Sequence, residues 1–263
     1  NHFAAYGIRN SRMLKNGKYQ TPVATIIGNF PRPTQNKPSL CSHRDVETFF
    51  HEFGHIMHQN LSKTKYSSLS GFSVRTDFVE APSQMLENWI WEPSILKQLS
   101  KHYKTGLALS DELIRKKLTT RHVNSGIIWS RQLFFATVDM AYHTSDNLPV
   151  DTTKIWNEVM LDVFKMQATQ GGAPQASFGH LMGGYDAGYY SYLWSKLFAE
   201  DMFTVFKREG LVDPKTGARY RQLILAPGAT DEPDVLMRNF LGRDPISEPF
   251  YRSLGLDCVS DWI

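Results

Sequence analysis

Five consecutive residues, His51-Glu52-Phe53-Gly54-His55, put two imidazoles and a carboxylate at a spacing that can hold a metal ion and use it. On a helix, residues four apart point the same way one turn up, so both imidazoles reach a single ion about 2.0–2.1 Å from each nitrogen. Glu52 lies roughly 100° around the helix from His51, too far round to be an equal third ligand. It is near enough to take a proton from a water activated by the metal, which is the logic of the H-E-x-x-H zinc hydrolase signature. The plainer alternative is a helix with two histidines on its polar face.

A catalytic zinc needs a third protein ligand and an open position. His58 shares the His51 face but sits seven residues on, about 10.5 Å along the axis, and does not converge on the same ion. The metzincin extension is absent, because His58 stands where its glycine belongs and Leu61 where its histidine belongs. Two downstream carboxylates, Glu80 and Glu87, are candidates. Pro82 belongs in the first turn of its helix, which puts Glu80 at the N-terminus and Glu87 two turns later; spacing favours Glu80 without settling the choice.

The elements that must position these groups are mostly helical. Ser42 followed by Asp45 resembles a capping box. Val46, Phe49, Phe50, Phe53, Ile56 and Met57 then recur at three- and four-residue spacing as one apolar stripe. Further helices are expected at 83–92, 94–104, 110–118, 124–143, 151–168, 189–208 and 233–241, the last two stopped by Gly210 and Gly242. Residues 12–15 and 18–20 flank Asn16-Gly17 and read as a hairpin with a type I′ turn. Pro22 to Phe30 reads as a strand closed by Pro31 and Pro33. A glycine-rich loop runs from Gly171 to Gly188. Without repeats or a low-complexity linker, the economical reading is mainly α with a small β part, an α+β zincin-type catalytic region with H-E-x-x-H on a core helix.

Three segments together resemble the thimet oligopeptidase and neurolysin family: His51 to His55, Phe78-Val79-Glu80-Ala81-Pro82-Ser83-Gln84, and His180-Leu181-Met182-Gly183-Gly184-Tyr185-Asp186-Ala187-Gly188-Tyr189-Tyr190-Ser191-Tyr192. Phe240-Leu241-Gly242-Arg243-Asp244-Pro245 is similar to that family's closing segment. The resemblance implies that Glu80 is the third ligand to one Zn²⁺ and that Glu52 is the general base. It implies that His180, Tyr185 and Tyr192 contact the scissile peptide and its oxyanion, that Tyr189 binds substrate, and that Gly183 and Gly184 belong to a mobile loop over the cleft. The chemistry agrees: a phenol is a neutral donor at pH 7, and glycines let a loop approach a substrate backbone closely. Read without the family, the tyrosines could equally be a buried aromatic cluster at a helix entry; Tyr190 reads as packing. The chain departs from some relatives in carrying Thr76 directly before Asp77, with Arg75 one step earlier. Family members are also longer, so residues 1–263 are expected to be the C-terminal portion of a catalytic domain whose N-terminal part is not in this chain.

Composition narrows the remaining classes. Lys plus Arg number 29 against 26 Asp plus Glu, a net charge of +3 with no basic run, which gives no reason to expect nucleic acid. The greasiest stretch, Tyr189 to Phe206, is interrupted by Lys196, Glu200 and Asp201, so no membrane span is expected. Two cysteines, Cys41 and Cys258, are too few for a disulfide scaffold and favour free thiols in a reducing compartment; with the family resemblance this implies the cytoplasm, an organelle being the alternative. The start at Asn1 reads as a processed product or a fragment. The expected activity is zinc-dependent cleavage of internal bonds in short peptides by a monomer. The alternatives are a peptidyl-dipeptidase of the same family, a fragment that binds zinc without turnover, and a structural zinc site, for which no fourth ligand is visible.

Overall fold

The structure is a computed structural model that describes residues 3–146, 148–167, 169 and 171–256. It opens on an antiparallel ribbon of β1 (Phe3–Arg9) and β4 (Val23–Gly28), in register from Phe3 opposite Gly28 to Gly7 opposite Ala24 and shifted by one residue where Arg9 meets Val23. β4 lies inside the expected strand; its partner β1 was not anticipated, since Ala4, Ala5 and Gly7 give it little β-branched character. Between them, β2 (Arg12–Met13) and β3 (Tyr19–Gln20) form the expected hairpin. Its turn differs from expectation: a type I′ turn needs positive φ at both central residues, and here Gly17 has φ +79° while Asn16 does not.

Helix α1 (His43–Leu61) starts on the capping box, with Ser42 Oγ accepting from Asp45 N and the Asp45 carboxylate accepting from Ser42 N. Its stripe is narrower than the sequence implied. Phe50, Met57 and Leu61 pack on the main core, whereas Phe53 is exposed and stacks on Phe49. Both ribbon strands lie against α1, and Gln59 fastens them by donating to Asn10 Oδ1 at 2.8 Å.

The expected helix at 83–92 is divided. α2 (Thr76–Val79) and α3 (Ala81–Glu87) meet at Glu80, and a 3₁₀ turn over Asn88–Trp91 follows. Pro93 forces Glu92 into extended backbone and ends the run. α4 (Pro93–Leu99) is shorter than expected, and α5 (Asp111–Leu118), α6 (Ser125–His143), α7 (Thr152–Phe164) and α8 (Ser191–Glu209) lie within a few residues of their expected bounds. α7 stops where Lys165 turns left-handed; the expected end at Ala168 lies outside the described residues. α9 (Pro214–Tyr220), α10 (Pro233–Leu241) and α11 (Glu248–Ser253) complete the chain, α10 as expected and the other two not. A π-helical turn, Arg221–Leu225, continues α9.

Two apolar cores result. The larger gathers Phe78, Met85 and Trp89 with Phe198, Met202, Phe206, Ile224 and Phe240, joining α2 and α3 to α8, α10 and the π turn. The smaller gathers Phe134, Val138, Trp156, Phe178 and Tyr189, where α6 and α7 meet the glycine-rich loop. The overall class, mainly α with a small β part, is as read from the sequence.

Candidate metal centre

The close approach of α1 and α3 builds the centre. Gly54 sits between the two histidines, and a Cβ there would lie 2.5 Å from Ser83 Cα and 2.9 Å from the Pro82 carbonyl, so only glycine permits this spacing. α1 then presents His51 and His55 one turn apart, and the α2–α3 junction presents Glu80. His51 Nε2 lies 3.2 Å and His55 Nε2 3.1 Å from Glu80 Oε2, and the three ligand atoms fall within 4.8 Å of one another. Bonds of 2.0–2.1 Å arranged tetrahedrally would separate ligand atoms by about 3.3–3.4 Å, so the observed spacings suit zinc. The donor set, two imidazole nitrogens and a carboxylate oxygen, is also zinc chemistry.

Glu87, the other candidate for the third ligand, stands behind His51. Its Oε1 lies 2.6 Å from His51 Nδ1, so Glu87 fixes the ring and leaves Nε2 turned toward Glu80 and His55, where a metal would sit. Lys196, buried on α8, lies 3.7 Å from Glu87 Oε2 and 2.7 Å from Glu200 Oε1. Asn88 donates to Glu200 Oε1 at 3.2 Å and accepts from Arg121 at 2.5 Å. Burial opposes charge on His51, but Glu80 and Glu87 outweigh it and hold the imidazole well above its ordinary pKa. Burial likewise opposes charge on Glu80, and the two histidines hold its carboxyl well below the usual range. Ser83 Oγ donates to Glu80 Oε2 at 3.0 Å.

The remaining groups named from sequence surround this triad unevenly. Glu52 is half-buried and lines a cavity of about 800 Å³ together with His51, Glu87, His180 and Tyr192. Tyr185 donates to Glu80 Oε1 at 2.6 Å, and its ring stacks on Tyr192 at 5.0 Å. Burial, reinforced by Glu80, pushes both phenols up, so both are protonated donors at neutral pH. His180 packs edge-on against Tyr185, Tyr189 and Tyr192, and burial lowers its pKa, leaving it neutral at pH 7. Tyr189 lies deeper: its ring belongs to the smaller core and its hydroxyl donates to Gln132 at 3.0 Å. Gly183 and Gly184 are exposed, and Gly184 has φ +91°, a conformation that favours glycine.

Other residues around the site sort as follows. Tyr190 lies 3.4 Å from Asp77, which also pairs with Arg75 at 2.9 Å despite that arginine's displaced position. His58 is fully buried away from the triad, and burial, with the neighbouring His55, pushes it down to about 3. Cys41 is exposed; Cys258 lies outside the described residues.

Sequence reasoning missed Asp139. This buried carboxylate on α6 accepts from Ala187 N and Tyr189 N, both at 2.9 Å, and so fixes the end of the glycine-rich loop. Its signal was the lone charged residue in the mostly apolar stretch Phe134 to Tyr142.

Residues 1–256 match the model of Peptidase family M3. The chain belongs to that family. This M3 chain is similar to thimet-like oligopeptidase of Dictyostelium discoideum, 38% identical over 258 residues, which are 97% of this chain and 38% of that protein. It is 40% identical to saccharolysin of Saccharomyces cerevisiae over 97% of this chain and 36% of the relative. Oligopeptidase A of Escherichia coli is 39% identical over 91% of this chain and 36% of its own length. The M3 chain therefore spans little more than a third of these curated relatives.

Proposed function

We propose that this chain carries the catalytic centre of a zinc metallopeptidase that hydrolyses internal bonds of short peptides. The observation that supports it most is the convergence of His51 Nε2, His55 Nε2 and Glu80 Oε2, with Glu52 from the same helix lining the adjoining cavity. His51, His55 and Glu80 would hold one Zn²⁺. When bound, zinc supplies Lewis acidity, polarising a carbonyl and lowering the pKa of water to about 7.

The chain's own groups do the rest. Glu52 takes a proton from the attacking water and returns it to the leaving amine. Tyr185, Tyr192 and His180 donate toward the carbonyl oxygen as it becomes negative, with Tyr185 turning away from Glu80 to do so. Gly183 and Gly184 give the loop the freedom for that turn and for closing over substrate, and Tyr189 supports the substrate side of the loop. The partner is a short peptide, and the working state is a monomer. Among the described residues no helix is long and apolar enough to cross a membrane. Sparse cysteine suits the cytoplasm, and matching relatives include proteins named cytosolic and organellar.

The test is mass spectrometry of a short unstructured peptide incubated with the chain and zinc. Internal cuts that disappear with a chelator, and with Glu52→Gln protein that still binds zinc, are expected. Undiminished cleavage by Glu52→Gln would remove Glu52 from the role of base. Stepwise loss of C-terminal dipeptides would replace the endopeptidase reading with a peptidyl-dipeptidase.

A further inference from the structure

A second cavity, of about 730 Å³, lies beside the metal centre between α6, α7 and the glycine-rich loop. Phe134, Phe135, Trp156, Phe178 and Tyr189 form its aromatic walls. His180 and Tyr192 line this cavity and also the one that holds His51 and Glu52, so the two spaces meet across those side chains. The buried rings of Phe134, Trp156, Phe178 and Tyr189 form its floor, while the partly exposed rings of Phe135, Phe164 and Tyr192, which also line it, leave surface for another aromatic group.

The cavity also has a cation at its rim. Arg131 is exposed, lines the space and lies 5.0 Å over the Phe135 ring. Among the described residues it has no ion-pair partner, and no Asp or Glu lines the cavity. A guanidinium stacked on a ring keeps its N–H groups in plane and available, and a carboxylate is the acceptor that fits their fork. Its position bears on the site, since its charge acts on both His180 and Tyr189.

We propose that this cavity takes an aromatic side chain of the peptide, while Arg131 takes a carboxylate on the same stretch of chain. The inference rests on the peptidase reading above. The carboxylate could belong to the peptide's free C-terminus or to an acidic side chain; the recognition chemistry is the same.

The experiment titrates zinc-loaded Glu52→Gln protein with four short peptides: one ending in Phe as the free acid, its amide, its Ala-ending counterpart, and the amide with Asp beside Phe. The Phe acid should bind about tenfold more tightly than the Ala acid. Amidation should weaken binding by about threefold to tenfold. Arg131→Met should erase the acid–amide difference and keep the Phe–Ala difference; Met160→Trp, which fills the cavity, should erase the latter. Recovery of affinity by Asp in the amide assigns the carboxylate to a side chain, and no recovery assigns it to the C-terminus. Equal affinities for acid and amide, or for Phe and Ala, would overturn the proposal. Wild-type cleavage of the same peptides is read in parallel: cleavage without either preference overturns the pocket alone, whereas folded zinc-loaded protein that neither binds nor cuts any of them overturns the peptidase reading as well.

Discussion

Glu87 Oε1 and His51 Nδ1 are 2.6 Å apart, on the opposite side of the imidazole from Glu80. The ring is thus held between two carboxylates, one that would share the metal and one that aims the ring at it. Glu87 is itself balanced by Lys196, so the aim of His51 depends on a charge carried by α8.

Glu87→Gln keeps a hydrogen-bonding side chain but removes the charge behind His51. Zinc affinity should fall by about 10- to 100-fold. Competition with a chromophoric chelator measures this, and an unchanged constant would mean the ring is aimed by packing alone.

Zinc binding should displace a proton. Glu80 and Glu87 raise the metal-free His51 above its ordinary value, so it keeps its proton to higher pH than a free imidazole does. Apparent affinity should rise about tenfold per pH unit until the raised pKa is passed, then level off. The same sign governs the metal-free fold: the charged pair stabilises fully below the unfolded histidine value of about 6.5, and that contribution is lost as pH rises through the folded value. Calorimetry in buffers of different ionisation enthalpy counts the protons released.

Gly54→Ala tests the spacing of α1 and α3. Alanine favours helix by up to about 1 kcal/mol, but its Cβ would meet the Ser83 backbone at 2.5 Å. Overpacking against backbone should win, with a net cost of roughly 1–3 kcal/mol and weaker zinc binding as Glu80 is pushed away. A thermal melt of chelated and zinc-loaded protein reads both effects.

Asp139→Ala leaves two loop N–H groups without their acceptor, at a cost of about 1–3 kcal/mol for each that stays buried. Hydrogen exchange at residues 183–189 should quicken while zinc affinity stays near the wild-type value. Loss of zinc in this variant would show that the loop and the triad are one unit.

Helix periodicity alone brings His51 and His55 together, whereas Pro82 and spacing only favoured Glu80 over Glu87, and the family resemblance made the choice. What Glu87 does was not legible. Two turns along α3 from Glu80, it could be a ligand by spacing, and only the crossing of α1 over α3 puts it behind the imidazole. Asp139 was hidden for a similar reason: its partners are backbone amides fifty residues away, which no local pattern marks. Helix starts were read well where a capping side chain announces them, as at Ser42, Ser110 and Asp151. β1 was missed because a small-residue strand becomes a strand only through its pairing with β4.

The two apolar cores divide the chemistry between them. The triad His51, His55 and Glu80 stands on helices rooted in the larger core, whereas Phe178 and Tyr189, the neighbours of His180, are rooted in the smaller one. A protein in which α6 and α7 alone have loosened would keep His51, His55 and Glu80 together while His180 loses its packing, so a probe at the triad would not report damage to the smaller core.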